Sequence, residues 1–196
     1  MNTLKVQKRD MVTKAKRLRR EGYITGNLFG RELEHSIPLK FERKEAEAVL
    51  KQCVPGTQIM LDVEGKMYDV LIKEMSYDSM KKQMLEVDFQ ALVQGEKVHT
   101  TAEIILHNKE KVVEGVLEQM LNEISYKATP ADLVDKIEID AGALRLGDSI
   151  KVKDLEIAKN PNIDILTNLD ATIVNVIASR ADAVDEAADS GESAEE

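Results

Sequence analysis

Residues 57–74 read TQIMLDVEGKMYDVLIKE, and their alternation decides the fold. Ile59, Leu61 and Val63 take every second position, and a second alternating run, MYDVLIKE, follows Glu64-Gly65-Lys66. Strand side chains point to opposite faces with period two, so each run predicts a half-buried strand. The short glycine-containing connection predicts a hairpin between them.

The same pattern extends outward on both sides. Leu4 and Val6 alternate in TLKV, Ile37, Leu39 and Phe41 in SIPLKFE, and Leu85, Val87 and Phe89 in MLEVDF. RKEAEAVLKQC differs, because Ala46, Val49, Leu50 and Cys53 recur at helical spacing and Pro55-Gly56 ends the run. One helix laid on a strongly bent sheet is the economical architecture for residues 1 to about 92. Gln94-Gly95-Glu96 interrupts the pattern, placing a domain boundary near residue 94. Beyond it VHTTAEIIL, KIEID, DSIKVKDL and ATIVNVIA read as extended, with turn chemistry at Ala141-Gly142, Leu146-Gly147-Asp148 and Asn160-Pro161-Asn162. VVEGVLEQMLNEISYKA fits two periods: Val113, Val116, Leu117, Met120, Leu121 and Ile124 make a helical face, while Ile124, Tyr126 and Ala128 alternate like a strand. The fold class is mainly β, in two domains, 1–93 and 94–180.

At 196 residues, with 43% hydrophobic but only 4% aromatic residues and no Trp, the chain must build its cores from Val, Ile, Leu and Met. Charge is distributed unevenly within the net −9. Residues 1–31 hold nine Lys/Arg against Asp10 and Glu21, a local +7, and the last sixteen residues, 181–196, hold seven acids and no base. That asymmetry predicts a polyanion site at one end and a disordered acidic tail at the other. The cationic focus is KAKRLRR, where Lys14, Lys16, Arg17, Arg19 and Arg20 crowd within seven positions and Leu18 is the inward anchor. Such a density repels itself in water and is favoured when phosphates share the site, because each contact releases a condensed counterion. Arginine adds forked donors that suit phosphate oxygens and base edges. Gly22 is placed to end a short basic helix or turn, and Gly26 and Gly30 let the backbone bend sharply or lie close to a partner.

Enzyme signatures are lacking. His35, His99 and His107 are scattered without metal-ligand spacing, and there is no HExxH, Cys cluster, GxGxxG, Walker loop or GxSxG elbow. Carboxylates are abundant, but no pair stands out as a hydrolase would need. Cys53 is the single cysteine, which excludes an internal disulfide framework and fits a reducing compartment. No apolar run has the length of a signal peptide or a membrane span, so the expected location is cytoplasmic.

The order RLRREG, a short apolar segment, FG, SIPLKF, LIKE and VDF resembles the 5S-rRNA-binding ribosomal protein twenty-five family of the bacterial large subunit. GVLEQMLNEISYKATPADLVDKIEID and LRLGDSIKVKDL resemble its long form, the general stress protein Ctc, with similarity spanning roughly residues 3–180. The resemblance implies an N-terminal β-barrel with one or two short helices, a second β-rich domain, and no catalysis. It implies 5S rRNA and the central protuberance of the 50S subunit as partners, with neighbouring ribosomal proteins met through the second domain. Cofactor, metal, membrane and small-molecule substrate are all expected to be absent. Carried onto this chain, Lys16, Arg17 and Arg19 match the arginine segment, with Lys14 and Arg20 beside them; Phe29 matches the aromatic, Lys73 a polar contact and Asp88 the aspartate of a surface His-x-Asp pair. Four features depart from the family pattern. Glu86 stands at the usual histidine, Thr25 and Gly26 at the usual proline and alanine, Phe29 at the usual tyrosine, and VTKAK replaces an intact Gly-Lys-Gly. These departures motivate a second reading: a stress-associated interaction protein of the same fold with weakened RNA binding.

Overall fold

The computed structural model describes residues 3–51, 53–112 and 115–178; the acidic tail predicted to be disordered lies outside the described residues. The hairpin expected at residues 57–74 is present. β4 (Gln58–Val63) and β5 (Lys66–Asp78) pair antiparallel, from Gln58 opposite Leu71 to Val63 opposite Lys66. Their two-residue turn has positive φ at Glu64 (54°) and Gly65 (93°), the mirror-image turn whose twist matches the flanking strands.

Four more strands complete the first sheet: β1 (Thr3–Lys8), β2 (Tyr23–Phe29), β3 (Ile37–Glu42) and β6 (Gln83–Ala91). Together they close into a six-stranded barrel in the order β1-β3-β2-β6-β5-β4. The pairs β1·β4 and β2·β6 are parallel and the others antiparallel. The β5–β6 register shifts twice, with Lys73 extra on β5 between Ile72 and Glu74, and Leu85 extra on β6 opposite the step from Ser76 to Tyr77. Extra residues of this kind increase local twist and let a strand turn a barrel corner. Two helices interrupt the strands, α1 (Ala15–Arg20) and α2 (Arg43–Leu50).

The alternation read from the sequence is the alternation of burial except at Leu85: pairing jumps from Ser76–Glu86 to Tyr77–Met84, so Leu85 is an extra, partly buried residue and Met84 takes the core position. Leu4, Val6, Leu39, Phe41, Ile59, Leu61, Val63, Val87 and Phe89 all lie in the barrel core, with Phe41 and Phe89 rings 6.1 Å apart and tilted. α2 adds Ala46 and Leu50, while Val49 is only partly buried and Cys53 follows the helix as a buried thiol. That thiol donates to the Val49 carbonyl at 3.3 Å, as a small core residue would.

The later strands are β7 (Val98–His107), β8 (Val116–Gln119), β9 (Glu123–Ala128), β10 (Lys136–Asp140), β11 (Ser149–Lys151), β12 (Asp164–Ile165) and β13 (Thr172–Ile177). They form a four-stranded sheet, β10-β7-β9-β12, and a three-stranded sheet, β11-β13-β8. The segment with two possible periods resolves as strands at Val116–Gln119 and Glu123–Ala128, because Ile124, Tyr126 and Ala128 are all fully buried whereas Met120, on the competing helical face, is 57% exposed; Val113 lies outside the described residues. DSIKVKDL is extended only as far as Lys151. Val152–Asp154 is a 3-10 turn, fixed by the Asp154 carboxylate accepting from the Lys151 N–H at 3.0 Å. Two compact units result, one built on residues up to Glu103 with Ser125–Asp135, the other on Ile104–Ile124 and the residues from Lys136.

Candidate nucleic-acid interface

The cationic cluster forms α1, six residues that begin after the extended Lys14 and end at Gly22, whose φ of +93° suits a glycine. Arg17, Arg19 and Arg20 occupy its last turn, where the helix dipole favours cations. A helix this short is marginal alone, so tertiary contacts must hold it. Leu18, 6% exposed, is the apolar anchor. An Arg43 guanidinium Nη2 donates to the Arg19 carbonyl at 2.9 Å, and the Arg43 N–H to the Gly22 carbonyl at 3.0 Å. On the other flank Arg9 Nη2 donates to the Thr13 carbonyl at 3.0 Å, fixing the loop that enters the helix.

Arg9 and Arg43 are struts that sequence reasoning missed. One clue was available: Arg43 opens α2, where the positive end of the helix dipole disfavours a cation. Nothing in the pattern around Arg9 marks it out.

The five cations of the cluster divide by environment. Lys14, Lys16 and Arg20 are exposed, and among the described residues their side chains take no hydrogen bond or ion pair. Arg17 Nε donates to Glu21 at 2.8 Å, and this bond and the Glu21 charge raise the Arg17 pKa above its ordinary value. Arg19 is turned onto the barrel: Nε reaches the Leu85 carbonyl at 3.2 Å, Nη2 the Thr25 hydroxyl at 3.3 Å and Glu86 Oε2 at 3.5 Å.

Arg19 therefore sets α1 against the outer wall of β2 and β6. Their parallel register places Thr25 beside Glu86, Asn27 beside Asp88 and Phe29 beside Gln90. With Val87 and Phe89 buried inward, Glu86 and Asp88 share the outward face. Asp88 Oδ1 accepts from both the Asn27 N–H and its side-chain amide, each at 3.1 Å, so this carboxylate is held in one orientation. Phe29, 36% exposed, ends β2 on the same side as Asn27. Of the predicted site residues, the wall and helix bring together Lys14, Lys16, Arg17, Arg19, Arg20, Phe29 and Asp88.

Lys73 stands apart. It is the extra residue of the β5 irregularity, one position before Glu74, which faces Asp88. Its ammonium donates to the His99 carbonyl at 2.7 Å, and burial lowers its pKa. Gly26 faces the barrel interior against the Val87 carbonyl, so its role is close strand packing.

A closed barrel carrying an exposed cationic helix beside a wall of fixed polar side chains is a protein shaped to meet a polyanion. The model of the Ribosomal L25p family matches residues 4–89, and that of the ribosomal protein TL5 C-terminal domain matches residues 97–180. The chain is 33% identical over 184 residues to the large ribosomal subunit protein bL25 of Dictyoglomus thermophilum, covering 89% of this chain and 88% of that one. It is 30% identical to the bL25 of Carboxydothermus hydrogenoformans, covering 84% and 82%, and 30% identical to that of Listeria monocytogenes, covering 92% and 87%. The chain belongs to the ribosomal L25 family, in the two-domain form.

Proposed function

We propose that the protein is a structural constituent of the large ribosomal subunit that binds 5S rRNA. Residues 1–93 act as the RNA-binding barrel domain and residues 94–180 as a second β domain that meets neighbouring ribosomal proteins. What carries the reading is the exposed set Lys14, Lys16 and Arg20, whose side chains have no partner among the described residues, on and just before a helix pinned beside the Asn27–Asp88 wall. Lys14, Lys16, Arg17 and Arg20 meet phosphates. Arg19 contributes from the wall, Phe29 offers a ring face, Lys73 a peripheral polar contact, and Asp88 accepts from a base amine or 2′-hydroxyl. An RNA helix is recognised in this way, through phosphates and a wide minor groove.

The test is a filter-binding titration of the full chain against purified 5S rRNA at two salt concentrations, alongside co-sedimentation with large subunits. Specific binding that weakens steeply with salt is expected. Affinity no better than for an unrelated RNA hairpin would overturn the assignment.

A further inference from the structure

A groove of about 410 Å³ opens between the C-terminal turn of α2 and the far end of the β5–β6 hairpin. That volume lies within the range of small-ligand sites, about 300–1,000 Å³. Its floor is apolar: Leu50 and Met84 are buried, and Met75 is partly buried against the core. Tyr77 forms one side, 58% exposed although it sits within a strand. Lys51 and Lys82 stand on the rim with Glu47. Among the described residues neither lysine side chain takes a hydrogen bond or ion pair, whereas the neighbouring Lys81 pairs with Asp78 at 3.8 Å.

Two observations decide what fits here. First, free cations outnumber the acid at the rim of a chain whose net charge is −9, so the groove runs against the charge of the molecule and complements an anion. Second, the groove lies one residue along β6 from the anchor of the proposed RNA surface. Tyr77 faces Met84 across the hairpin, and the next residue, Leu85, supplies the carbonyl that anchors Arg19. An aromatic ring over an apolar floor, flanked by ammonium groups, is the arrangement that holds an unpaired nucleotide.

We propose that this groove takes one unstacked nucleotide of the RNA bound by the barrel. The base stacks on the Tyr77 ring above Met75 and Met84, the flanking phosphates meet Lys51 and Lys82, and Glu47 accepts from an exocyclic amine of the base. The inference rests on the RNA-binding reading and extends its footprint to a second, single-stranded contact.

The experiment measures affinity of the full chain for 5S rRNA with Tyr77→Ser, Tyr77→Phe and the Lys51→Gln/Lys82→Gln pair, each checked for an unchanged thermal melt. Losing the ring should weaken binding about tenfold, and Tyr77→Phe should stay within about twofold of the parent. The lysine pair should lower the slope of log affinity against log salt by about one to two. Parent affinity in Tyr77→Ser overturns the groove site alone and leaves that face to a protein segment or to solvent. Equal loss in Tyr77→Ser and Tyr77→Phe also overturns it, because the hydroxyl rather than stacking would then be at work. Failure of the parent chain to bind overturns this inference and the RNA-binding reading together.

Discussion

Arg19 and Glu86 meet on the outside of the barrel with Nη2 3.5 Å from Oε2, although 67 residues separate them in the chain. The separation is longer than the roughly 2.7–2.9 Å of a tight charge-assisted bond. It is long because the same guanidinium already reaches the Leu85 carbonyl and the Thr25 hydroxyl, which fix its position. One cation of the cluster is thus held to the wall, and one carboxylate faces the approach of any polyanion.

Glu86→Gln should therefore tighten binding to 5S rRNA, by a factor on the order of three to ten, because it removes a like charge from the interface and loosens Arg19. The salt slope should steepen at the same time. Filter binding at several salt concentrations reads both. Weaker binding would instead make Glu86 a hydrogen-bond acceptor for the RNA.

Gly26→Ala tests the barrel itself. A Cβ there falls on the Val87 carbonyl of the parallel neighbour, which is backbone and cannot swing aside. The strands must part, at about 1–3 kcal/mol, the usual cost of overpacking. Urea unfolding should show a lower midpoint with a slope close to the parent's. An unchanged midpoint would mean the pair separates at no cost.

Much of this was legible in the sequence, and the limit follows from how far each signal reaches. Period-two alternation located the barrel strands, because a face buried by a sheet leaves its mark on every second residue, as at Ile59, Leu61 and Val63. Leu18 announced the buried side of α1 by being the sole large apolar residue in KAKRLRR. The partners of the cations were not legible, since Arg19 meets Leu85 and Glu86 only through the parallel pairing of β2 with β6. Gly26 was ambiguous between close packing and ligand approach for the same reason: its neighbour Val87 comes from a distant strand. At Lys73 the resemblance supplied a contact position, whereas its bond to the His99 carbonyl depends on an irregular step in β5 that no periodicity encodes.

Tyr126 carries the third prediction. Its buried hydroxyl donates to the Val134 carbonyl at 2.6 Å and accepts from the Val134 N–H at 2.8 Å, closing the loop between β9 and β10. Tyr126→Phe leaves both backbone groups without this partner and should cost roughly 1–3 kcal/mol in denaturant unfolding. Burial, the largest effect, raises the phenol pKa because it penalises the phenolate. The stability this group adds is full below the ordinary tyrosine value of about 10 and is lost as pH rises through the higher folded value. Parent and variant should therefore converge in stability on the alkaline side. A constant difference across that range would remove Tyr126 as the cause.

The last prediction concerns Arg17, whose side chain is 76% exposed and whose Nε is bound to Glu21, 45% exposed. The pair sits one helical turn apart and in open water, where screening keeps such contacts weak. It nevertheless places a negative charge beside the guanidinium, so Arg17 presents less net charge to a phosphate than does Lys16, which has no such partner among the described residues. Arg17→Ala should then weaken 5S rRNA binding less than Lys16→Ala, which is expected to lower the salt slope by about one. In a Glu21→Gln background the Arg17→Ala loss should grow to match that of Lys16→Ala. The cycle isolates the coupling, because the pair is the contact that Glu21→Gln removes from Arg17. Identical Arg17→Ala losses with and without Glu21 would mean the RNA already displaces the carboxylate, and the internal pair would then have no hold on binding.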